Sequence, residues 1–345
     1  MKKALTMSDD ALQQAVSVIR NGRTFGVVSH VDPDGDAVGS IIAAMLMLRR
    51  LGKEVRSLQN DTIPDIYNFL PGYPLAAKVD AAPRRLGPGE LDCVMIFDSS
   101  SFSRVAWDYD DRSVPAKKVI NTDHHKDNAL FGDVNIVDGK ASSASELLFG
   151  IIDAFGMGDD VQIATNLFTG ISTDTGSFSY SNTTPAALVI TSRLVETGID
   201  VAGITKHLEC NFTLPRLVFF GKVLASAQST EDGSLVWIVG TEKMRRESAF
   251  GGSTEQFTNY AMKVRAAEVA IFFSQDGADR CKVSIRSRGQ IDARLLAASF
   301  GGGGHERAAG CIVRGSLDSV ISDVVEAARS ELKQAASSRR KASLD

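Results

Sequence analysis

Cysteine is scarce in this chain and never paired in a useful spacing. The four residues, Cys93, Cys210, Cys281 and Cys311, are scattered through 345 positions without a C-x-x-C. That argues against a zinc knuckle or a dithiol redox pair. Three of them, Cys93, Cys281 and Cys311, lie beside apolar runs that read as strands, where buried, reduced thiols are expected. Basic charge is not in excess either. Lys and Arg number 38 against 42 Asp and Glu, for a net charge of -4. A broad electropositive groove for long nucleic acid is therefore not expected, and a polyanion must be met locally or through metal ions. Nor is there a long basic or aromatic run on which a single strand could stack. No apolar stretch reaches the ~18 residues of a membrane span. The first residues, MKKALTMSDDALQQAV, meet Asp9 and Asp10 before any apolar core of a signal peptide forms. The expectation is a cytoplasmic protein with no membrane partner. Internal repeats and low-complexity segments are lacking as well.

What is present suits two globular domains. A length of 345 residues exceeds one ordinary core, and 43% hydrophobic residues supply two. Between Thr24 and Asp174, apolar runs alternate with helical patterns. Thr24–Ser29, Cys93–Phe97 and Lys117–Asn121 read as buried strands. Ala37–Leu48 is apolar on nearly every face, as in a buried helix. Val161–Ile171 shows helical spacing and runs into TDTG, with Gly176 as a stop. This is an α/β pattern: a mainly parallel sheet flanked by helices, with sites expected beyond the carboxyl ends of its strands. Helices follow at 185–197, 200–209 and 214–226. After them, strands at Leu235–Val239, Glu268–Phe273, Cys281–Ser287 and Ala308–Val313 mix with helices near 254–264, 292–299 and 316–334. The expected organisation is a first domain over 1–195, a helical linker or hinge over 196–224, a smaller α+β domain over 225–334, and a frayed polar tail over 335–345.

Three of the four chemistry-bearing segments follow the strand readings. His30, Asp34 and Asp36 fall in HVDPDGD. Its crowded carboxylates repel one another unless a cation neutralises them, and carboxylate with imidazole suits Mn²⁺, Mg²⁺ or Zn²⁺. Asp, Pro and Gly are equally good turn formers. Asp98 ends a strand in FDSS, a position also open to a helix cap. Asp123, His124 and His125 lie together in TDHH, so one histidine can bind metal while the other faces substrate. Asp174 stands in TDTG, near a helix end. Each segment is weak alone. Together they offer enough ligands for two ions sharing a carboxylate.

The ordered set HVDPDGD, FDSS, TDHH and TDTG resembles the DHH phosphoesterase superfamily. The later CKVSIRSRGQIDARLLAASFGGGGHERAAG is similar to its associated DHHA1 domain. The resemblance runs from about residue 20 to residue 330. Within the superfamily, the length and two-domain layout are similar to the bifunctional oligoribonucleases, or nanoRNases, that also dephosphorylate 3′-phosphoadenosine 5′-phosphate (pAp). RecJ-type exonucleases are usually longer and add an OB domain, and membrane-bound cyclic-dinucleotide phosphodiesterases carry membrane helices. The resemblance implies two divalent cations, Mn²⁺ ahead of Mg²⁺. His30, Asp34 and Asp98 would hold one, and Asp36, Asp98, His124 and Asp174 the other. Asp123 would orient a histidine, and His125 would face the substrate phosphate.

The second domain has a local basic surplus. Lys282, Ser284, Arg286 and Arg288 alternate along one strand face, which is either a solvated face or a phosphate contact. Gly301–Gly304 leave backbone N–H groups open to a ligand. With the resemblance, Arg286, Gly302, Gly303, Gly304 and His305 become the candidate substrate clamp. A clamp at a fixed distance from the metals, across a cleft, would favour short substrates. The expected function is hydrolysis of short oligoribonucleotides, about 2–5 nucleotides, to mononucleotides, together with pAp to AMP. A linear or cyclic dinucleotide phosphodiesterase and a non-hydrolytic, metal-dependent nucleotide sensor are the alternatives. A homodimer is compatible with the resemblance.

Overall fold

The structure is a computed structural model that describes residues 9–77, 86–109, 113–210, 212–252, 254, 257–288, 291–304 and 306–342. The chain forms two compact units, residues 1–211 and 212–345.

In the first unit, strands β1 (Thr24–Val28), β2 (Glu54–Ser57), β3 (Leu91–Phe97), β4 (Ala116–Asp123) and β5 (Val134–Val137) form one sheet. Its order is β2-β1-β3-β4-β5, and every pairing is parallel. Helices α1 (Asp9–Asn21), α2 (Gly35–Arg50), α3 (Tyr73–Ala77), α4 (Ala144–Ala154), α5 (Val161–Asp174), α6 (Pro185–Glu196) and α7 (Val201–Glu209) complete it. One sheet face presents Phe25, Val27, Cys93, Met95, Phe97, Ile120 and Ile136 to a core shared with these helices. The other face, through Val28, Val94, Ile96 and Val119, packs on Leu86, Phe102, Val105 and Trp107. Those four come from connecting segments, with Phe102 opening a single 3₁₀ turn, rather than from α-helices. The reason is topological: the order reverses between β1 and β3, so the β3-to-β4 connection crosses on the face opposite α2.

Helix α2 is buried almost throughout, as its all-round apolar sequence predicts. Two glycines let it approach α5 closely. A Cβ on Gly39 would lie 3.3 Å from Gly170 N, and one on Gly170 would lie 2.8 Å from Asp36 Oδ1. Every sequence-predicted strand and helix of this unit is present. Short β2 and β5, and helices α1, α3 and α4, were not among them.

The second unit begins at α8 (Leu214–Ala225) and carries β6 (Gln228–Ser229), β7 (Leu235–Gly240), α9 (Glu242–Glu247), α10 (Phe257–Ala261), β8 (Val269–Gln275), β9 (Arg280–Ser287), α11 (Ala293–Ala298), β10 (Gly303–Gly304), β11 (Ala308–Arg314) and α12 (Leu317–Ala342). Its sheet order is β10-β11-β9-β8-β7-β6, and only β7–β8 is parallel. Alternation places Cys281, Val283 and Ile285 on the face covered by α11 and α12. Phe219, Phe220 and Val223 of α8 cover Ile238, Ala270 and Phe272 on the opposite face. Of the stretch expected as a linker, Ile199 and Ile204 sit in the first unit's core, whereas α8 sits in the second unit's. Helix α12 continues through part of the expected tail, to Ala342; the stretch KQAASSRRKA is rich in good helix formers. Among the described residues, no helix is long and apolar enough to cross a membrane.

Candidate metal centre and active site

The four chemistry-bearing segments converge beyond the carboxyl ends of β1, β3 and β4. β1 and β3 flank the point where strand order reverses, the usual site position in open parallel sheets.

His30 follows β1 and is nearly buried. Its Nδ1 lies 2.6 Å from the Val31 carbonyl, which fixes the tautomer with Nδ1 as donor and leaves Nε2 as the ring's free ligand atom. That Nε2 lies 3.2 Å from Asp98 Oδ2. The buried amide of Gln59 fixes the loop. Ser29 N donates to Gln59 Oε1 at 2.9 Å, and Gln59 Nε2 donates to the His30 carbonyl at 3.1 Å.

Asp34 is the N-cap of α2, and its Oδ1 accepts from the N–H groups of Asp36 and Ala37 at 3.0 and 3.1 Å. Its second oxygen remains for another partner. Asp36, two residues on, is wholly buried. Its Oδ2 accepts Ala144 N at 2.6 Å and its Oδ1 accepts Ser145 N at 2.9 Å. The first turn of α4 thus supplies two unpaired N–H groups and the positive end of its dipole to a buried carboxylate. Ser143 caps the same helix by accepting Glu146 N, and Ser145 Oγ is 2.9 Å from Ser40 Oγ. Ser143 and Ser145 therefore serve the α4 terminus.

Asp98 stands just after β3 with φ 52, a left-handed conformation that costs energy outside glycine. The turn aims its carboxylate into the cluster. Its Oδ1 is buried and receives no hydrogen bond. His124 Nε2 at 3.4 Å and His125 Nδ1 at 3.5 Å are its nearest cationic neighbours. His124 Nε2 is also 3.5 Å from Asp174 Oδ2, at the end of α5. Three ligand groups result, each with atoms within 4.8 Å of one another: His30, Asp34 and Asp98; Asp36, His124 and Asp174; and Asp98, His124 and His125.

The electrostatics explain why a cation suits this place. Burial and the neighbouring Asp98 charge push Asp36 up to about 8. Burial, against the opposing pull of His124, raises Asp174 to about 6, with Asp98 adding to the rise. Burial opposes charging His30 and His124, but the Asp98 carboxylate overcomes it and lifts them to about 9 and about 10. Burial likewise opposes charge on Asp98, yet the two imidazoles hold its pKa well below the ordinary range. Among the described residues, no Lys or Arg lies within ion-pair distance of Asp98 or Asp174. Carboxylates that hold protons because burial and one another's charge oppose ionisation, beside an orphaned buried oxygen, form a donor set that fits divalent metal.

His125 is arranged differently. Its Nδ1 donates to Asp123 Oδ1 at 2.7 Å, and that hydrogen bond raises its pKa, with burial opposing. Asp123 is wholly buried, and its Oδ2 accepts from Asn128 Nδ2 at 2.6 Å. Asn182 Nδ2 reaches both the carbonyl and Oδ2 of Asp174, at 3.1 and 3.4 Å. Gln59, Asn128 and Asn182 carried no sequence signal, because a lone amide side chain leaves no periodic or spacing trace. Asn128 and Asn182 follow TDHH and TDTG within a few residues, whereas Gln59 lies near none of the four motifs in sequence.

In the second unit, Arg286 lies half-buried on β9, opposite Ala308 of β11 and Ala270 of β8. Gly303 and Gly304 pair with Gly310 and Ala309. Gly304 has φ 141, and a Cβ there would lie 2.6 Å from the Ala308 carbonyl oxygen. Gly302 also leaves no room for a Cβ, against Gly310 and Cys311, whereas Gly303 is open. Two of the three candidate glycines are thus required by packing on β11. His305 lies outside the described residues.

A parallel sheet that gathers four aspartates and three histidines at its switch point defines a hydrolase built to work with divalent cations. Residues 24–171 match the DHH family, N-terminal domain, and residues 233–338 match the DHHA1 domain. The chain is 34% identical over 312 residues to the bifunctional oligoribonuclease and PAP phosphatase NrnA of Thermus thermophilus, covering 90% of each chain. It is 25% identical over 302 residues to the Bacillus subtilis protein of the same name, covering 86% of this chain and 91% of that one. In structure it is similar to an exopolyphosphatase-related protein from Bacteroides fragilis, with a TM-score of 0.83 and 26% identity over 95% of this chain and 97% of that one. The chain belongs to the DHH–DHHA1 phosphoesterase family and is a phosphodiesterase or phosphatase enzyme.

Proposed function

We propose that this enzyme hydrolyses short oligoribonucleotides of about 2–5 nucleotides to mononucleotides and removes the 3′-phosphate of pAp to give AMP, using two divalent cations. The observation that carries the metal reading is the buried, hydrogen-bond-free Oδ1 of Asp98, a residue common to two of the ligand groups. The names of the Thermus and Bacillus relatives support the substrates. His30, Asp34 and Asp98 would hold one ion, and Asp36, Asp98, His124 and Asp174 the other, with Asp98 common to both. Mn²⁺ ahead of Mg²⁺ matches a donor set that mixes imidazole nitrogen with carboxylate oxygen. Such ions, when bound, supply Lewis-acid charge to the phosphate and lower the pKa of water at the site.

The remaining chemistry belongs to the chain. Asp123 holds the Nδ1–H of His125, leaving Nε2 as the ring atom that meets substrate. Asp123 raises the pKa of His125, which favours the doubly protonated ring that would donate from Nε2 to a phosphate oxygen or to the leaving oxygen. Asp34 and Asp36 are held by N–H groups at two helix termini, so they need no reorganisation when charge develops on phosphate. In the second unit, Arg286, Gly302, Gly303, Gly304 and His305 are the proposed substrate contacts, with Arg286 as the charged partner for phosphate.

The test is turnover with Mn²⁺ on pAp, a 5′-phosphorylated dinucleotide, a five-mer RNA and a 24-mer RNA. Rapid cleavage of the short substrates, abolished in Asp98→Ala, is expected. Metal-loaded protein that cleaves none of them would overturn the reading in favour of a nucleotide sensor.

A further inference from the structure

The loop that follows Asp174 has an unusual backbone. Gly176, Ser177 and Phe178 have φ values of 55, 54 and 64 in succession. Two of these three left-handed residues carry side chains, so the turn is costly and must be held from outside. Three contacts hold it. Ser177 Oγ donates to Glu209 Oε1 at 2.9 Å. The Phe178 ring packs edge-on against Phe168, with centroids 6.2 Å apart. Asn182 ties the far end of the loop to Asp174 and to the Ser142 carbonyl, the latter at 3.0 Å.

Between these anchors stands Tyr180, 58% exposed. Its position is fixed by backbone, with Tyr180 N donating to the Thr175 carbonyl at 3.0 Å. A Cβ built on Gly176 would lie 2.6 Å from both Cε1 and Cε2 of Tyr180, and closer still to Cζ. Near-equal distances to three ring atoms put that missing Cβ over the ring's face rather than at its edge. The ring therefore lies on the Gly176 backbone, two residues beyond Asp174. Any side chain at 176 would displace it.

We propose that Tyr180 is a stacking platform for the nucleobase of the nucleotide whose phosphate is cleaved, and so a specificity-determining residue. This rests on the phosphoesterase reading of the Asp98 site. A large aromatic ring, 58% exposed and seated on Gly176 two residues beyond Asp174, offers π surface to a ligand of the phosphate-hydrolysing cluster. Stacking on such a ring recognises bases of any sequence because every base has a π-face. It also separates nucleotides from base-free phosphoesters, which the aspartate and histidine cluster does not do. The rigid loop lowers the ordering cost that binding would otherwise incur.

The experiment compares pAp with 1-deoxyribose 3,5-bisphosphate, which keeps the sugar and both phosphates but lacks the base. Each is assayed with Mn²⁺-loaded wild type, Tyr180→Leu and Tyr180→Phe. The ratio of kcat/KM for pAp to that for the base-free compound should fall about tenfold or more in Tyr180→Leu, and it should persist in Tyr180→Phe. A ratio unchanged in Tyr180→Leu overturns the proposal. Calorimetric binding of pAp to the same three proteins keeps the two readings apart. If wild type hydrolyses neither compound, the phosphoesterase reading of the substrates fails, while loss of pAp affinity in Tyr180→Leu alone still supports stacking and equal affinity refutes it.

Discussion

Asn128 Nδ2 lies 2.6 Å from Asp123 Oδ2, on the opposite side of that carboxylate from His125. The same amide nitrogen is 2.8 Å from Asn121 Oδ1 and 3.2 Å from the Ser99 carbonyl. Asn128 thus binds the ends of β3 and β4 together while fixing the carboxylate that orients His125. Groups that orient a site residue in this way typically cost 10–100-fold when removed. Asn128→Ala should therefore lower kcat by roughly tenfold or more with little change in KM. Steady-state kinetics beside a metal titration would check it. Reduced metal content, with kcat per bound metal intact, would contradict the positioning role.

Gly170 has a structural reason to be glycine that bears directly on Asp36. A Cβ there would press on the Ser145 side chain and lie 2.8 Å from Asp36 Oδ1. Gly170→Ala should destabilise the protein by about 1–3 kcal/mol, the usual cost of overpacking. It should also weaken metal binding at the group containing Asp36. Thermal unfolding and a metal titration of the same preparation measure both effects, which should appear together.

Metal removal should lower thermal stability. A ligand bound only by the folded state at 100 times its Kd contributes about 2.7 kcal/mol. EDTA treatment should lower Tm by several degrees, and added Mn²⁺ should restore it. Asp98→Asn should show little of this response. An EDTA-insensitive Tm in fully loaded protein would count against metals held by these buried side chains.

Acid stability should depend on Asp92, at the opposite end of β3 from Asp98. Its carboxylate accepts from Lys117 Nζ at 2.8 Å and from the N–H groups of Arg23 and Thr24 at 2.9 and 3.1 Å. Lys117 first, then these N–H groups, hold its pKa well below the usual range. A depressed folded pKa contributes stability above the unfolded value of about 3.9, and that contribution is lost as pH falls below it. Wild type should therefore melt above Asp92→Asn at pH 7, and the gap should close as pH drops below about 4. A gap that persists at low pH would mean that the packing of β1 on β3, not charge, carries the effect.

Much of the first unit was legible because its physics is local. The runs TFGVVS and CVMIF are strongly apolar and buried, KKVIN is buried from its valine onward, and α2 shows no polar face. The pieces that escaped are those whose identity depends on neighbours. β2 is the short, half-exposed edge segment EVRS, with no pattern until β1 is beside it. β5 is equally brief. The α4 terminus serves Asp36, a partner 108 residues earlier in the chain. In the second unit the glycine run was read as open backbone, whereas β10 uses part of it to pair with β11.

The sequence by itself determined which residues could carry charge and metal, because carboxylates and imidazoles in that order of short motifs have few other uses. It also determined the elements on which they ride, through apolar runs and capping residues. Only the tertiary structure decided how they meet. The left-handed turn at Asp98, the α4 N–H groups on Asp36, the amides of Gln59, Asn128 and Asn182, and the ring of Tyr180 on Gly176 all join residues distant in sequence or set by a local backbone twist. Such contacts arise from the close approach of α2 to α5 and from the reversal of strand order beside β1, and neither leaves a periodic trace in the chain.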